Sequence, residues 1–121
     1  MKKESIPSED WETPKAVRAG GFLFLSGVTS KQPDGQYLAH GDIKSQTHVV
    51  IDRIENTLES LDSSLGKVVK ITAYVRSIDE WSLFNEAYLE RFPVNRPART
   101  TIQAGGFEEG ACVELDVIAT E

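Results

Sequence analysis

The chain has 121 residues, carries 13 Lys and Arg against 19 Asp and Glu for a net charge of −6, and holds one cysteine, Cys112, and two histidines, His40 and His48. One cysteine excludes an internal disulfide framework and any CxxC metal or redox motif, and the acidic balance argues against nucleic-acid binding, which needs a basic patch to neutralise phosphates. The length suits one domain over 1–121, no apolar run reaches the roughly 20 residues of a membrane span, and the start MKKESIPSED lacks the apolar stretch of a secretory signal, so cytoplasm is the expected compartment.

Residues 1–15 are polar, hold Pro7 and Pro14, and read as a loosely held N-terminal arm. Ala16-Val17-Arg18 runs into the turn signal Gly20-Gly21, and Phe22-Leu23-Phe24-Leu25-Ser26 follows as an apolar run stopped by Gly27, which together predict a β-hairpin over 16–26. Ser30 to Gly35 is a turn cluster. Asp42 caps the clearest helix, where Ile43, Thr47, Val50, Ile51, Ile54, Leu58 and Leu61 recur at steps of three or four. Lys44, Gln46, His48, Asp52, Arg53, Glu55 and Glu59 take the intervening, solvent-facing positions, and Ser63-Ser64-Leu65-Gly66 ends the helix.

From Lys67 to Arg76 the period changes to two: Val69, Ile71, Ala73 and Val75 alternate with Lys70, Thr72, Tyr74 and Arg76, the mark of a strand. Ser77-Ile78-Asp79-Glu80 has capping-box spacing and opens a second helix to about Phe92, with Trp81, Phe84, Tyr88 and Phe92 inward and Pro93 and Pro97 beyond it. Arg99 to Gln103 reads as a strand, 104–110 as a Gly-rich loop, and Ala111 to Ala119 as the last strand, with Val113, Leu115 and Val117 alternating against Cys112, Glu114, Asp116 and Ile118.

The order β-β-α-β-α-β-β predicts an α+β sandwich with two helices on one face of a mixed sheet. The other face is expected to carry Leu23, Leu25, Tyr74, Cys112 and Ile118 or their alternates, too apolar for open water, and therefore to be covered by another subunit or by the arm.

Catalytic chemistry has few side chains to draw on. HExxH, GxSxG, Walker A and GxGxxG motifs do not occur, Ala104-Gly105-Gly106 reads as a turn, and His40 and His48 read as surface residues without metal-pair spacing. What remains is Arg, Glu, Asp, Asn, Ser, Thr and the main chain.

Several segments in series resemble the RidA/YjgF family of enamine/imine deaminases. They are Val17-Arg18-Ala19-Gly20, Phe22 to Gly27, Gln46-Thr47, Val68 to Val75, Phe84-Asn85-Glu86-Ala87-Tyr88, Pro97-Ala98-Arg99, and Val113 to Ala119, together covering about 16–120. The resemblance implies a chorismate-mutase-like fold, a homotrimer with clefts at subunit boundaries, no metal or organic cofactor, and hydrolysis of a small-molecule enamine or imine acid to a 2-oxo acid and ammonia. By position it implies that Arg99 binds the substrate carboxylate, which suits the planar, permanently charged guanidinium. Glu114 would position or activate water, with Asp116, two residues on, as the fallback acid. Ser26 and Asn85 would line the cleft, and Thr101, where many members have cysteine, would contact substrate largely through the main chain.

Two departures accompany the likeness. The G-P-Y-S-Q-like segment with its cleft tyrosine is replaced by Trp11-Glu12-Thr13-Pro14-Lys15, leaving Trp11 or Thr13 as stand-ins, and the loop 103–110 lacks an R-L-P-K-like turn. The run Pro97-Ala98-Arg99-Thr100-Thr101 resembles the 2-aminomuconate deaminase branch, for whose second carboxylate Lys15, Arg18 or Lys31 is available. The expected function is thus a deaminase of the 2-aminoacrylate or 2-aminomuconate type. The alternative is a non-catalytic trimer that binds small carboxylates or a partner. A nuclease role is disfavoured by the charge.

Overall fold

The computed structural model describes residues 2–121. The elements, in chain order, are β1 (Lys3–Ile6), β2 (Ala16–Ala19), β3 (Phe22–Leu25), α1 (Ile43–Ser60), β4 (Val68–Val75), α2 (Trp81–Arg91), β5 (Ala98–Gln103) and β6 (Val113–Thr120). The strands form one six-stranded mixed sheet in the order β1-β2-β3-β6-β4-β5, with both helices on one side. The α+β class and helix placement expected from the sequence hold.

β4 and β6 pair antiparallel at the middle of the sheet, matching Ile71 with Val117 and Tyr74 with Glu114. β5 runs parallel to β4, and α2 supplies the crossover that a parallel neighbour requires. The predicted hairpin is β2–β3, whose two-residue turn places Gly20 and Gly21 at φ of 60° and 84°, a conformation costly for residues with a Cβ. Period-two alternation sends Ile71, Ala73, Val75, Val113, Leu115, Val117 and Ala119 into the core beneath the helices. From α1, Ile43, Val50, Ile51, Ile54 and Leu58 meet them, each burial stabilising the fold by about 1.5–3 kcal/mol. Asp42 caps α1 by accepting from the Ser45 backbone N–H (3.1 Å) and hydroxyl (2.9 Å).

Five expectations are corrected. Lys3–Ile6 of the arm is a strand, paired from Lys3↔Ala19 to Ile6↔Ala16, because the open edge of β2 offers it unpaired backbone groups. Gln46, placed on the solvent side of α1, is fully buried. Its amide nitrogen donates to Gly110 O and Ala39 O, and its Oε1 accepts from Cys112 N, so one side chain ties the Gly-rich loop to the helix. Cys112 precedes β6 and lies in the core rather than on the outward face. Leu23 and Leu25 face the core, leaving Phe22 and Phe24 outward with their ring centroids 6.3 Å apart. Ser77 accepts from Asp79 N, but Glu80 turns to Arg76 at 2.8 Å instead of closing a capping box, so a 3-10 turn over Ile78–Glu80 precedes α2.

Candidate functional site

The predicted site residues fall into two groups. The first lies at the β5 edge, on the helix side. Arg99 pairs in register with Ile71, so its side chain runs toward α2. Its Nη1 donates to Asn85 Oδ1 at 2.9 Å, which explains a polar residue in the middle of a packed helix. The guanidinium carbon sits 4.5 Å from the Tyr88 ring centroid, 5.5 Å from Phe84 and 5.9 Å from Trp81. Such contacts are worth about 0.5–2 kcal/mol each and fix the plane of the fork. Its other N–H groups have no hydrogen-bond partner among the described residues. Beside it, the Tyr88 hydroxyl and Thr101 Oγ1 are buried without a partner among the described residues. Burial pushes the Tyr88 phenol up, against the smaller pull of Arg99 and Arg96. This edge therefore combines an oriented cation with unspent hydrogen-bonding capacity.

The second group lies on the opposite sheet face, in a cleft of about 210 Å³ lined by Tyr74, Ala104–Phe107, Glu114 and Asp116. Glu114 is half-buried, and its carboxyl is pushed above the ordinary range first by burial and then by the charge of Asp116. The Tyr74 hydroxyl donates to Asp116 Oδ2 at 3.2 Å, and the charge of Asp116, then this bond, raise the phenol. The pairing of β3 with β6 explains how the carboxylates gain room. Phe24 pairs with Ile118 and Val28 with Leu115, which leaves one extra residue on the β3 side, a bulge over Ser26-Gly27. A methyl carbon at Gly27 would overlap the Glu114 carboxylate and lie 3.2 Å from Asp116 Oδ1. Gly27 is thus a glycine because both carboxylates converge on its α-carbon. Ser26 Oγ donates to Pro14 O at 2.6 Å and moors the incoming arm beside this cleft.

Arg99, Asn85 and Thr101 are therefore brought together, as are Glu114, Asp116 and the Ser26-Gly27 bulge, but the sheet separates the two groups within one chain. Tyr74 and Gly27 were missed as site residues. Alternation puts Tyr74 on the side of its strand away from Ile71 and Ala73, but only the register of β4 with β6 sets Glu114 opposite it. The bulge at Gly27 depends on pairing between distant strands and has no local signal.

Of the cations named for a second carboxylate, Arg18 pairs with Glu4 and Glu121, and Lys31 with Glu108, each at 2.8 Å, whereas Lys15 has no ion pair among the described residues. Trp11 is exposed on the arm. His48 Nε2 lies 3.1 Å from Glu90 Oε2, a surface pair, whereas His40 packs against Gly110. Among the described residues no three His, Cys, Asp or Glu converge as metal ligands, and no helix is long and apolar enough to cross a membrane.

Residues 4–121 match the protein family described as Endoribonuclease L-PSP. A RutC family protein of Pyrococcus abyssi is 33% identical over 124 residues, covering 98% of each chain. The chloroplastic Reactive Intermediate Deaminase A of Arabidopsis thaliana is 28% identical over 120 residues, which span 99% of this chain and 64% of that protein. The crystal structure of a Rid-family protein from Yersinia pestis superposes with a TM-score of 0.87 at 29% identity, covering 99% of this chain and all of the other.

Proposed function

Because the chain belongs to the Endoribonuclease L-PSP family, the family of RidA/YjgF (Rid) proteins, we propose that it hydrolyses reactive enamine and imine acids to 2-oxo acids and ammonia. The observation that carries this reading is Arg99, a guanidinium seated on aromatic rings, tied on one side by Asn85 and uncommitted on the other. That is the fork a planar carboxylate needs. Glu114 supplies the proton chemistry, since a carboxyl raised by burial exchanges protons nearer neutrality.

The balance closes with Glu114 starting as the acid. It gives its proton to the enamine carbon, forming an iminium. Water then adds at the C=N carbon and returns a proton to Glu114. Glu114 next protonates the amino nitrogen. The C–N bond breaks, ammonia leaves, and the carbinol O–H proton restores the acid as the carbonyl forms. Such substrates are already labile, so placement and one proton carrier suffice.

Arg99 and Glu114 lie on opposite faces of one chain's sheet, so the reading includes a homotrimer in which the β5 edge of one copy meets the Glu114 cleft of the next. Phe22, Phe24 and Ile102, exposed on the outer face, support a covering neighbour. With Arg18 and Lys31 engaged in ion pairs, Lys15 alone of the three cations is left for a second carboxylate, and the compact 2-aminoacrylate class is favoured over a dicarboxylate such as 2-aminomuconate. The family description names an endoribonuclease. A cleft lined by two carboxylates on a chain of charge −6 is poorly suited to phosphate, and a cytoplasmic deaminase remains our reading.

The test is ammonia release from freshly generated 2-aminoacrylate, with RNA cleavage measured in parallel. Acceleration by the wild type and loss of it in Arg99→Ala, with circular dichroism unchanged, are expected. Turnover that survives in Arg99→Ala, or cleavage of RNA without deamination, overturns the proposal.

A further inference from the structure

The cleft holds two carboxylates but gives them unequal surroundings. Glu114 and Asp116 both reach the space above Gly27, where a methyl carbon would overlap one and lie 3.2 Å from the other. Two carboxylates so close cannot both ionise without cost, so one binds a proton more tightly. Asp116 accepts from the Tyr74 hydroxyl at 3.2 Å, a bond that fixes the position of its carboxylate in the cleft. Glu114 is half-buried and accepts no hydrogen bond from the described residues.

We propose that Asp116, held in place by the Tyr74 hydroxyl, is a positioning residue whose negative charge makes Glu114 the proton-bearing acid of the cleft. Tyr74 and Asp116 touch no reacting atom in this account. They act through Glu114, and the inference rests on the reading that Glu114 is the proton carrier of a deaminase.

The groups facing Glu114 from each neighbouring element support the assignment. β4 presents Tyr74 and, two alternate positions away, Lys70, whose Nζ is spent on Thr100 Oγ1 at 2.9 Å. β5 presents Ala98, Thr100 and Ile102 on this face, none of them titratable. The bulge contributes only Ser26 and Gly27. Outside the cleft lining, Tyr37 lies within reach of the Glu114 charge and is bonded to Glu108. Tyr37 donates to Glu108 at 2.8 Å, and it is pushed up to about 12 by burial, by Glu108 and more weakly by Glu114. Lys31 also binds Glu108 at 2.8 Å, so that carboxylate is neutralised locally. Asp116 is left as the charge that governs Glu114, in line with the upward direction of the Glu114 carboxyl, caused by burial and then by Asp116.

The same arrangement accounts for Gly27. Any side chain there would push the two carboxylates apart and release the coupling.

The experiment is carbon-detected NMR titration of the Glu114 carboxyl in the full chain, in wild type, Asp116→Asn, Tyr74→Phe and Asp116→Glu. It is paired with pH profiles of kcat/KM for ammonia release. Asp116→Asn removes the repelling charge and keeps the shape, so the Glu114 midpoint moves to lower pH. Tyr74→Phe keeps the ring and drops the donor, so Asp116 is no longer held beside Glu114 and the Glu114 midpoint falls. Asp116→Glu restores the charge and with it the wild-type Glu114 midpoint. Since the acid form of Glu114 starts the reaction, the alkaline limb of the profile moves to lower pH in the first two variants, with KM unchanged. A Glu114 midpoint that stays in place in both variants overturns the assignment. Midpoints that move in a protein releasing no ammonia uphold it and overturn the deaminase reading instead.

Discussion

Arg99→Lys keeps the positive charge at the β5 edge and removes the fork. Arginine can give a carboxylate two parallel charge-assisted bonds, whereas a lysine ammonium at the same place gives one. A charged hydrogen bond contributes about 1.5–3 kcal/mol net, so losing one weakens carboxylate binding roughly 10- to 150-fold. Lysine also loses the planar stacking that holds Arg99 4.5 Å from the Tyr88 ring, and it cannot reach both Asn85 and the ligand. These losses act on orientation more than on folding. The stability change is expected to stay near 1 kcal/mol, because the Arg99 neighbours Tyr88 and Phe84 remain packed in the core. Calorimetric titration with 2-oxobutyrate, a stable 2-oxo acid of the product class, reads the affinity, and ammonia release reads turnover. Binding by Arg99→Lys at wild-type strength would refute the argument, since charge alone would then suffice and the guanidinium geometry would be irrelevant.

Gly27→Ala should fold, because the group it displaces is the end of the flexible Glu114 side chain, yet it should lose turnover while 2-oxobutyrate binding at Arg99 persists; a fully active Gly27→Ala sinks the account of the bulge. Phe24→Glu, on the outer face away from the core, should leave secondary structure intact and lower the mass seen in sedimentation; an unchanged mass removes that face from the assembly. Asp42→Ala should cost about 1 kcal/mol in urea unfolding at neutral pH through loss of the α1 cap. The Ser45 backbone N–H and hydroxyl hold the Asp42 carboxyl below its ordinary value, so this stability is present above the unfolded carboxylate range. It is lost as pH falls through the folded value, so the gap between wild type and Asp42→Ala should close in acid. A gap that persists there removes Asp42 as its source.

Most of the secondary structure was legible because it is written in local periodicity. The α1 stripe from Ile43 to Leu58, the period-two run of β4, and Gly20-Gly21 between β2 and β3 each obey a rule spanning a few residues. The first strand was hidden because Lys3–Ile6 is polar on most positions and gains its structure only from the edge of β2. Gln46 looked solvent-facing for the same reason: a polar side chain signals burial only when the backbone groups it will satisfy are known, and Gly110 and Cys112 are 64 and 66 residues away.

The sequence alone determined the class of fold, both helices, five of the six strands, and the residues carrying charge and hydrogen-bonding chemistry, Arg99 and Glu114 among them. The division of those residues between two faces arose only when β5 took its place beside β4 and β6 beside β3. Strand alternation says which residues share a face within a strand. Only register says which face that is relative to the neighbours, and a single bulge at Gly27 was enough to draw Glu114 and Asp116 onto one point.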